Sequence, residues 1–185
     1  LKQQPKIRHE LANKPIEEHK KILSFSYENL DGWFFPDTYE YLAGDSDKEI
    51  LLQAHKKMQK TLERAWRSRA DDLPYLSASE ALTMASIIEK ETGLASEREK
   101  IAGVFVRRLK NKMRLQTDPT VIYGLGESYS GNLTLKDLQT PGPYNTYLIE
   151  GLPPGPIANP GLGALQAALH PAGGNELYFV GKGDG

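Results

Sequence analysis

The sequence of 185 residues contains no cysteine. This absence excludes disulfides, thiolate metal sites and cysteine nucleophiles. It leaves the cellular compartment open, because cysteine-free chains occur on both sides of a membrane. The four histidines are scattered and lack the spacing of a metal site; they are His9, His19, His55 and His170. No metal site is therefore expected.

The sequence also lacks long apolar runs and a strong charge of either sign. No apolar run approaches the roughly 18 residues of a membrane span, and no signal peptide is visible. The net charge of −1 does not favour a nucleic-acid partner. Neither a Gly-x-Ser-x-Gly nucleophile elbow nor a phosphate-binding loop occurs. With 39% hydrophobic and 25% charged residues, the composition is that of an ordinary globular domain.

The two ends of the chain indicate a piece of a longer protein, since it begins at Leu1 and stops abruptly at Gly185. Residues 1–30 are polar and helix-prone, and a helix is expected to start at Pro15-Ile16, with acidic residues in its first turn. This segment has too few apolar residues to form a domain alone. We interpret it as the end of an upstream module, and residues 31–185 as the main domain.

Three helices are predicted from a serine followed three residues later by a glutamate, the spacing of a capping box. Apolar residues then recur at helical spacing. The first helix is expected over residues 46–69, the second from Ser77 to Gly93 and the third from Ser96 to about Met113. The capping pairs are Ser46 and Glu49, Ser77 and Glu80, and Ser96 and Glu99.

The remainder of the chain predicts loops and one strand. Residues 114–120 are expected to form a polar loop, because Pro119 disfavours helix at Asp118. Residues 141–163 contain six prolines and five glycines, which excludes regular structure. Since an apolar helix follows directly, we interpret this Pro/Gly-rich loop as a fixed wall of a site. Residues 177–180 predict a buried strand, and the fold class is therefore α+β and helix-rich.

Glu89 is the candidate catalytic residue. At about 100° per residue, Glu89 falls within the apolar arc of the second helix. Lys90 falls on the opposite side with Thr83 and Ser86. An apolar wall favours the protonated form of a carboxyl group, which is the form that a general acid needs. The alternative is that Glu89 and Glu91 form buried ion pairs. Because the two glutamates point in separate directions, they do not suggest a two-carboxylate glycosidase pair.

Two further groups of side chains suit a carbohydrate. Four aromatic residues lie within residues 33–39; they form either a plug for the core or a platform beside a sugar. The stretches 116–118 and 144–147 supply amides, hydroxyls and a carboxylate, which suit a ligand rich in hydroxyl and acetamido groups. Their alternative role is turn formation.

Four long motifs follow one another along roughly residues 31–185. The motifs are Gly32-Trp33-Phe34-Phe35-Pro36-Asp37-Thr38-Tyr39, Ala85-Ser86-Ile87-Ile88-Glu89-Lys90-Glu91-Thr92, residues 113–124 (MRLQTDPTVIYG), and Tyr144-Asn145-Thr146-Tyr147 followed by residues 151–157 (GLPPGPI). In this order they resemble the MltG (YceG-like) family of endolytic murein transglycosylases, with Asp31 in the place of the family's usual Glu. Long motifs in a fixed order are far more specific than any one of them.

The resemblance implies cleavage of peptidoglycan glycan strands with 1,6-anhydro products and no cofactor. It implies Glu89 as acid and then base, with Glu91 and Arg114 in support. It also implies a LysM-like module ending near residue 30, and a single membrane anchor upstream that holds the domain outside the bacterial inner membrane. Partnership with the cell-wall synthesis machinery is suggested as well. The substrate-binding candidates are Gln116, Asp118, Thr120, Tyr123, Tyr144, Asn145 and Tyr147.

Two other functions were weighed. The family once carried the label aminodeoxychorismate lyase, a pyridoxal-phosphate enzyme. That chemistry needs a Schiff-base lysine and a phosphate cradle, whereas Lys90 is predicted to face water. A non-catalytic peptidoglycan-binding module would use the same aromatic and polar groups without needing Glu89 in an apolar wall.

Overall fold

The computed structural model describes residues 6–27 and 29–179, and helices are its main regular structure. The helix predicted at Ile16 is present, and the helix predicted over residues 46–69 runs from Asp47 to Arg67. Seven α-helices and one 3₁₀-helix lie in the described residues. They are α1 Ile16–Leu23, α2 Asp47–Arg67, α3 Ala78–Glu91, α4 Arg98–Lys110, α5 Asp118–Leu125, the 3₁₀-helix Gly126–Ser128, α6 Leu135–Gln139 and α7 Leu162–Leu169.

Two of the three predicted capping signals are used. Ser46 and Glu49 form a complete capping box at the start of α2. The Ser77 side chain accepts a hydrogen bond from the Glu80 N–H at the start of α3. The prediction for Ser96 was wrong, because α4 starts two residues later, after Glu97, with no side-chain cap. A turn precedes α4 instead, and in it the Thr92 hydroxyl donates to Glu97 Oε2 at 2.9 Å.

The predicted loop over residues 114–120 was also wrong in its second half, because α5 begins at Asp118. Pro119 lies in the first turn of this helix. The first turn needs no backbone N–H donor, so proline is accommodated there. The pair Asp118-Pro119 therefore marks the start of a helix, whereas the prediction treated Pro119 as a residue that prevents helix formation.

The described residues contain no β-strand, only an isolated bridge between Arg8 and Ser46. The predicted α+β class and its short strands are therefore corrected to a helix-rich fold. Leu177, Tyr178 and Phe179 form no regular structure, and Arg108 Nε donates a hydrogen bond to the Leu177 carbonyl at 2.7 Å. Val180, the last residue of that prediction, lies outside the described residues.

Helix α3 lies at the centre of the molecule. Every residue from Ala81 to Ile88 is buried, Thr83 and Ser86 included, so the predicted water-facing side of this helix was wrong for those two residues. Their hydroxyls are satisfied inside the fold, since Ser86 Oγ donates to the Thr83 carbonyl at 2.7 Å. Only Lys90 of that predicted face is exposed. The core around α3 is completed by α2, α4 and α7.

The N-terminal segment packs against the first half of α2 in a second apolar cluster. Leu11, Leu23 and Leu30 are buried there, with Leu51 and Leu52 of α2 against them. Asp47 accepts backbone N–H bonds from Glu10 and Leu11 at its two carboxylate oxygens. The described part of residues 1–30 is therefore in close contact with the main helices, and the division at residue 30 stays a prediction.

Candidate functional site

The Glu89 carboxylate lies at the end of the buried part of α3. Its side chain is half-buried, and Oε2 accepts a hydrogen bond from the Gly161 N–H at 3.1 Å. Gly161 is the residue before α7, at the end of the Pro/Gly-rich loop. One turn earlier on α3, Ser86 Oγ accepts from the Ile157 N–H of the same loop at 2.9 Å. This loop therefore holds Glu89 in position while leaving part of the carboxylate accessible.

Several predicted site residues meet around Glu91 rather than Glu89. A small cavity of about 190 Å³ lies there. Glu91 Oε2 accepts from the Thr117 hydroxyl at 2.7 Å, and Asp118 Oδ1 accepts from the Tyr147 hydroxyl at 2.6 Å. The residues that line the cavity are Glu91, Arg108, Leu115, Gln116, Thr117, Asp118, Tyr147 and Phe179.

Burial raises the pKa values of two side chains that line this cavity, Glu91 and Tyr147. Loss of hydration raises the pKa of Glu91; the hydrogen bond from the Thr117 hydroxyl lowers it in part, and the charge of Asp118 adds a smaller upward shift. Burial, followed by the hydrogen bond to Asp118, raises the pKa of Tyr147 to about 12. Both shifts favour neutral Glu91 and Tyr147 beside the Asp118 carboxyl group.

Tyr123 and Tyr144 form a separate pair, with ring centroids 4.8 Å apart. The Tyr123 hydroxyl donates to Asp31 Oδ2 at 2.7 Å and accepts from Asn29 Nδ2 at 2.5 Å. Burial raises the pKa of Tyr123, and the bond to Asp31 raises it further. Asp31 therefore fixes the position of the Tyr123 hydroxyl.

Two of the predicted binding residues are buried in the fold. Thr120 has no exposed surface, and its hydroxyl bonds the Thr117 carbonyl and Thr146 Oγ1, both at 2.8 Å. Asn145 is 4% exposed, and its amide donates to the Thr140 carbonyl at 2.7 Å. Arg114 is exposed and donates to the Tyr147 carbonyl at 3.1 Å. All three shape the loops that carry Thr117, Asp118 and Tyr147.

Two residues of the site were not predicted as such from the sequence, and a third was predicted only as part of a stretch. Gly161 contacts Glu89 through its backbone, which no side-chain pattern could reveal. Thr117 lies in the predicted stretch 116–118 but is not among the individual substrate-binding candidates. Arg108 is 7% exposed and donates to the Leu115 carbonyl at 2.7 Å; its place among apolar residues of α4 was the available signal.

A long groove separates α2 from α7 and encloses about 1230 Å³. Phe35 and Leu162 are among its lining residues, and Leu162 directly follows the Gly161 that binds Glu89. Ser68 and His170 also line it, close to the hydrogen bond from the Ala70 N–H to the Leu169 carbonyl at 3.0 Å. The groove therefore leads toward the loop that holds Glu89.

Neither a metal-ligating cluster nor a membrane-spanning helix is present among the described residues. Within residues 6–27 and 29–179, no cluster of three or more histidine, aspartate or glutamate side chains could hold a metal ion. No helix in that part of the chain is both long and apolar enough to cross a membrane. Lys90 is exposed, as predicted.

Comparison with known proteins gives the family. The model of the YceG-like family matches residues 2–185. The chain belongs to the YceG-like family. A crystal structure of a YceG-like protein from Listeria monocytogenes is similar to it, with a TM-score of 0.70 and 39% identity over 89% of this chain and 53% of that one.

Two curated relatives of this YceG-like chain are named endolytic murein transglycosylase. The protein of Bacillus subtilis strain 168 is 43% identical over 156 residues, which are 84% of this chain and 43% of the relative. The protein of Streptococcus pneumoniae strain D39 is 32% identical over 156 residues, which are 82% of this chain and 28% of the relative. The chain thus spans less than half the length of these two relatives.

Proposed function

We propose that this YceG-like chain carries the catalytic centre of an endolytic lytic transglycosylase. It would cleave the bond between N-acetylmuramic acid and N-acetylglucosamine in peptidoglycan strands. Family membership and the names of the relatives support the substrate class. The observation that carries the assignment of the catalyst is the bond from the Gly161 N–H to Glu89 Oε2, which fixes an accessible carboxylate at the end of a buried helix.

In the proposed reaction, protonated Glu89 donates its proton to the glycosidic oxygen. The bond from that oxygen to the muramoyl C1 breaks, and the N-acetylglucosamine end leaves as an alcohol. The Glu89 carboxylate then takes the proton of the muramoyl 6-hydroxyl, whose oxygen bonds to C1. The product is a 1,6-anhydro ring, no water is consumed, and Glu89 regains its proton.

A single carboxyl group is sufficient for this sequence, because the acid and base steps follow each other. Glu91 lies two residues on, about 200° around the helix from Glu89, and its carboxylate contacts Thr117 in the separate small cavity. Glu91 therefore supports the site instead of acting as a paired nucleophile. Gln116, Asp118 and Tyr147 line that cavity, and we assign them to hydrogen bonds that bind the glycan strand beside Glu89.

The first experiment compares the protein with its Glu89→Gln and Glu91→Gln variants on uncrosslinked glycan strands, with the products analysed by mass spectrometry. Anhydro ends are lighter than hydrolysed ends by one water. We expect anhydro ends from the unaltered protein and from Glu91→Gln. Loss of general acid–base catalysis in Glu89→Gln should lower the rate by about 10²–10⁴-fold.

The other outcomes are equally informative. Loss of activity in Glu91→Gln but not in Glu89→Gln would transfer the catalytic role to the small cavity. Reducing ends would identify a hydrolase and contradict the single-carboxylate mechanism. Strand binding without any product, unchanged by Glu89→Gln, would favour a non-catalytic binding module.

The cellular setting is part of the same proposal. We place the domain on the outer side of the bacterial inner membrane, tethered by a single anchor that is not among these residues, beside a LysM-like module and the cell-wall synthesis machinery. Peptidoglycan is found on that side of the membrane, so the proposed substrate requires this location. Protease access to the domain in intact spheroplasts would test the placement.

A further inference from the structure

The groove between α2 and α7 has a wall of positive charge. Lys56, Lys60 and Arg64 line it from α2. Their spacing of four residues places them in one row on the helix surface, about 12 Å long at 1.5 Å per residue. All three side chains are exposed.

These three cations differ from the neighbouring Lys57. Lys57 also lines the groove, but it forms an ion pair with Asp37. Within the described part of the chain, no ion pair or side-chain hydrogen bond engages the charged groups of Lys56, Lys60 or Arg64. Glu99 is the other acidic residue of the lining. The groove therefore keeps an excess of positive charge in its unbound state.

The opposite wall carries one apolar and two polar side chains. Leu162, Gln166 and His170 line the groove from α7 and its C-terminal end, again at a spacing of four residues. The amide of Gln166 can bond hydroxyl and acetamido groups. A cationic row on one wall and these side chains on the other suit an extended, hydroxyl-rich ligand with negative charges along one side.

We propose that this groove binds the carboxylates of a muramoyl-containing glycan strand, so that the row Lys56-Lys60-Arg64 selects strands by charge. The inference rests on the proposed function for its choice of ligand. Each muramoyl residue carries a lactyl carboxyl group, which is either free or extended by a peptide that ends in a carboxylate. Leu162 of the groove lining directly follows the Gly161 whose N–H binds Glu89, so a strand in the groove would continue toward the proposed catalyst.

The test uses the Glu89→Gln protein, which should bind strands without cleaving them, and adds the triple change Lys56→Gln, Lys60→Gln and Arg64→Gln. Binding of fluorescently labelled, peptide-bearing strand fragments is measured against salt concentration. We expect Kd to rise about tenfold in the triple variant, as three exposed charge contacts together would give. The salt dependence should become weaker in the same variant.

Two controls isolate the groove. The changes Lys48→Gln, Arg67→Gln and Lys136→Gln remove the same charge from positions that do not line it, and should leave Kd unchanged. Strand fragments with their carboxylates converted to amides should bind equally to the groove variant and to the protein with an intact groove. Equal loss of affinity in both triple variants would overturn the proposal, as would an unchanged Kd in the groove variant.

The remaining outcomes separate this inference from the proposed function. Charge-selective binding by a protein that never forms anhydro ends would keep the groove assignment and contradict the activity. If the protein with the intact row and the protein with the triple change formed anhydro products with the same KM and kcat, the activity would be confirmed and the groove assignment contradicted. Tighter, row-dependent binding of inorganic polyphosphate than of strands would overturn the choice of carboxylates.

Discussion

At the scale of single residues, the burial of Glu91 makes the stability of the fold depend on pH. Its pKa is raised above the ordinary value of 4.5 by loss of hydration and then by Asp118. Stability from its protonated form is therefore complete below the unfolded pKa and is lost as pH rises through the folded pKa. Glu91→Gln removes this titration and can still accept the Thr117 hydroxyl.

We expect the unfolding free energy of Glu91→Gln to rise relative to the unaltered protein as pH increases from about 4 toward neutrality. Urea unfolding at a series of pH values measures the difference. Glu40→Gln, at an exposed position, is the control and should show no such trend. A difference that falls with pH would mean that ionised Glu91 stabilises the fold.

Gly32 tests a close approach between the aromatic segment and the Pro/Gly-rich loop. Its φ is +85°, and an added Cβ would lie 2.4 Å from Pro156 Cβ. Gly32→Ala should cost about 2–4 kcal/mol, from left-handed strain and overpacking together. Gly44→Ala provides the comparison, since Gly44 has a φ of +100° with no neighbouring atom within 4 Å. Equal losses of unfolding free energy in the two variants would leave no role for the contact with Pro156.

At the scale of secondary structure elements, the capping residues of α2 and α4 make a matched pair. Ser46→Ala removes a complete capping box and should lower the unfolding free energy by about 1 kcal/mol. Ser96→Ala should change it by less than about 0.5 kcal/mol, because Ser96 caps no helix. Urea denaturation resolves the two effects, and a comparable loss in both would contradict the observed start of α4.

Some secondary structure elements could be predicted from the sequence, and others depend on contacts between distant residues. Helices α2 and α3 were predictable because their caps and apolar spacing agree with each other. The start of α5 was missed because Pro119 is compatible with both a helix start and a loop. The strand predicted from residue 177 onward was wrong for residues 177–179, which have no partner strand; the Leu177 carbonyl accepts from the Arg108 side chain instead. Glu89 could be chosen from its helix, whereas its contact with Gly161 depends on tertiary packing 72 residues away.

At the scale of the whole molecule, we expect the N-terminal segment to unfold together with the main helices. Leu23 is 4% exposed in the cluster against α2, so Leu23→Ala should cost about 2–5 kcal/mol and lower the main thermal transition. Leu135→Ala, at a side chain that is 76% exposed, should leave it unchanged. A separate low-temperature transition that alone responds to Leu23→Ala would show that residues 1–30 unfold independently.

The buried helix α3 has a consequence for how this protein can vary. Because Ala81 to Ile88 are enclosed on every side, substitutions there are limited by volume, but a change in length is far more severe. Insertion or deletion of one residue before Glu89 would turn its carboxylate by about 100° and move it by about 1.5 Å along the helix axis. The carboxylate would then be out of reach of Gly161. We therefore expect relatives to differ in the side chains of this segment while its number of residues stays constant.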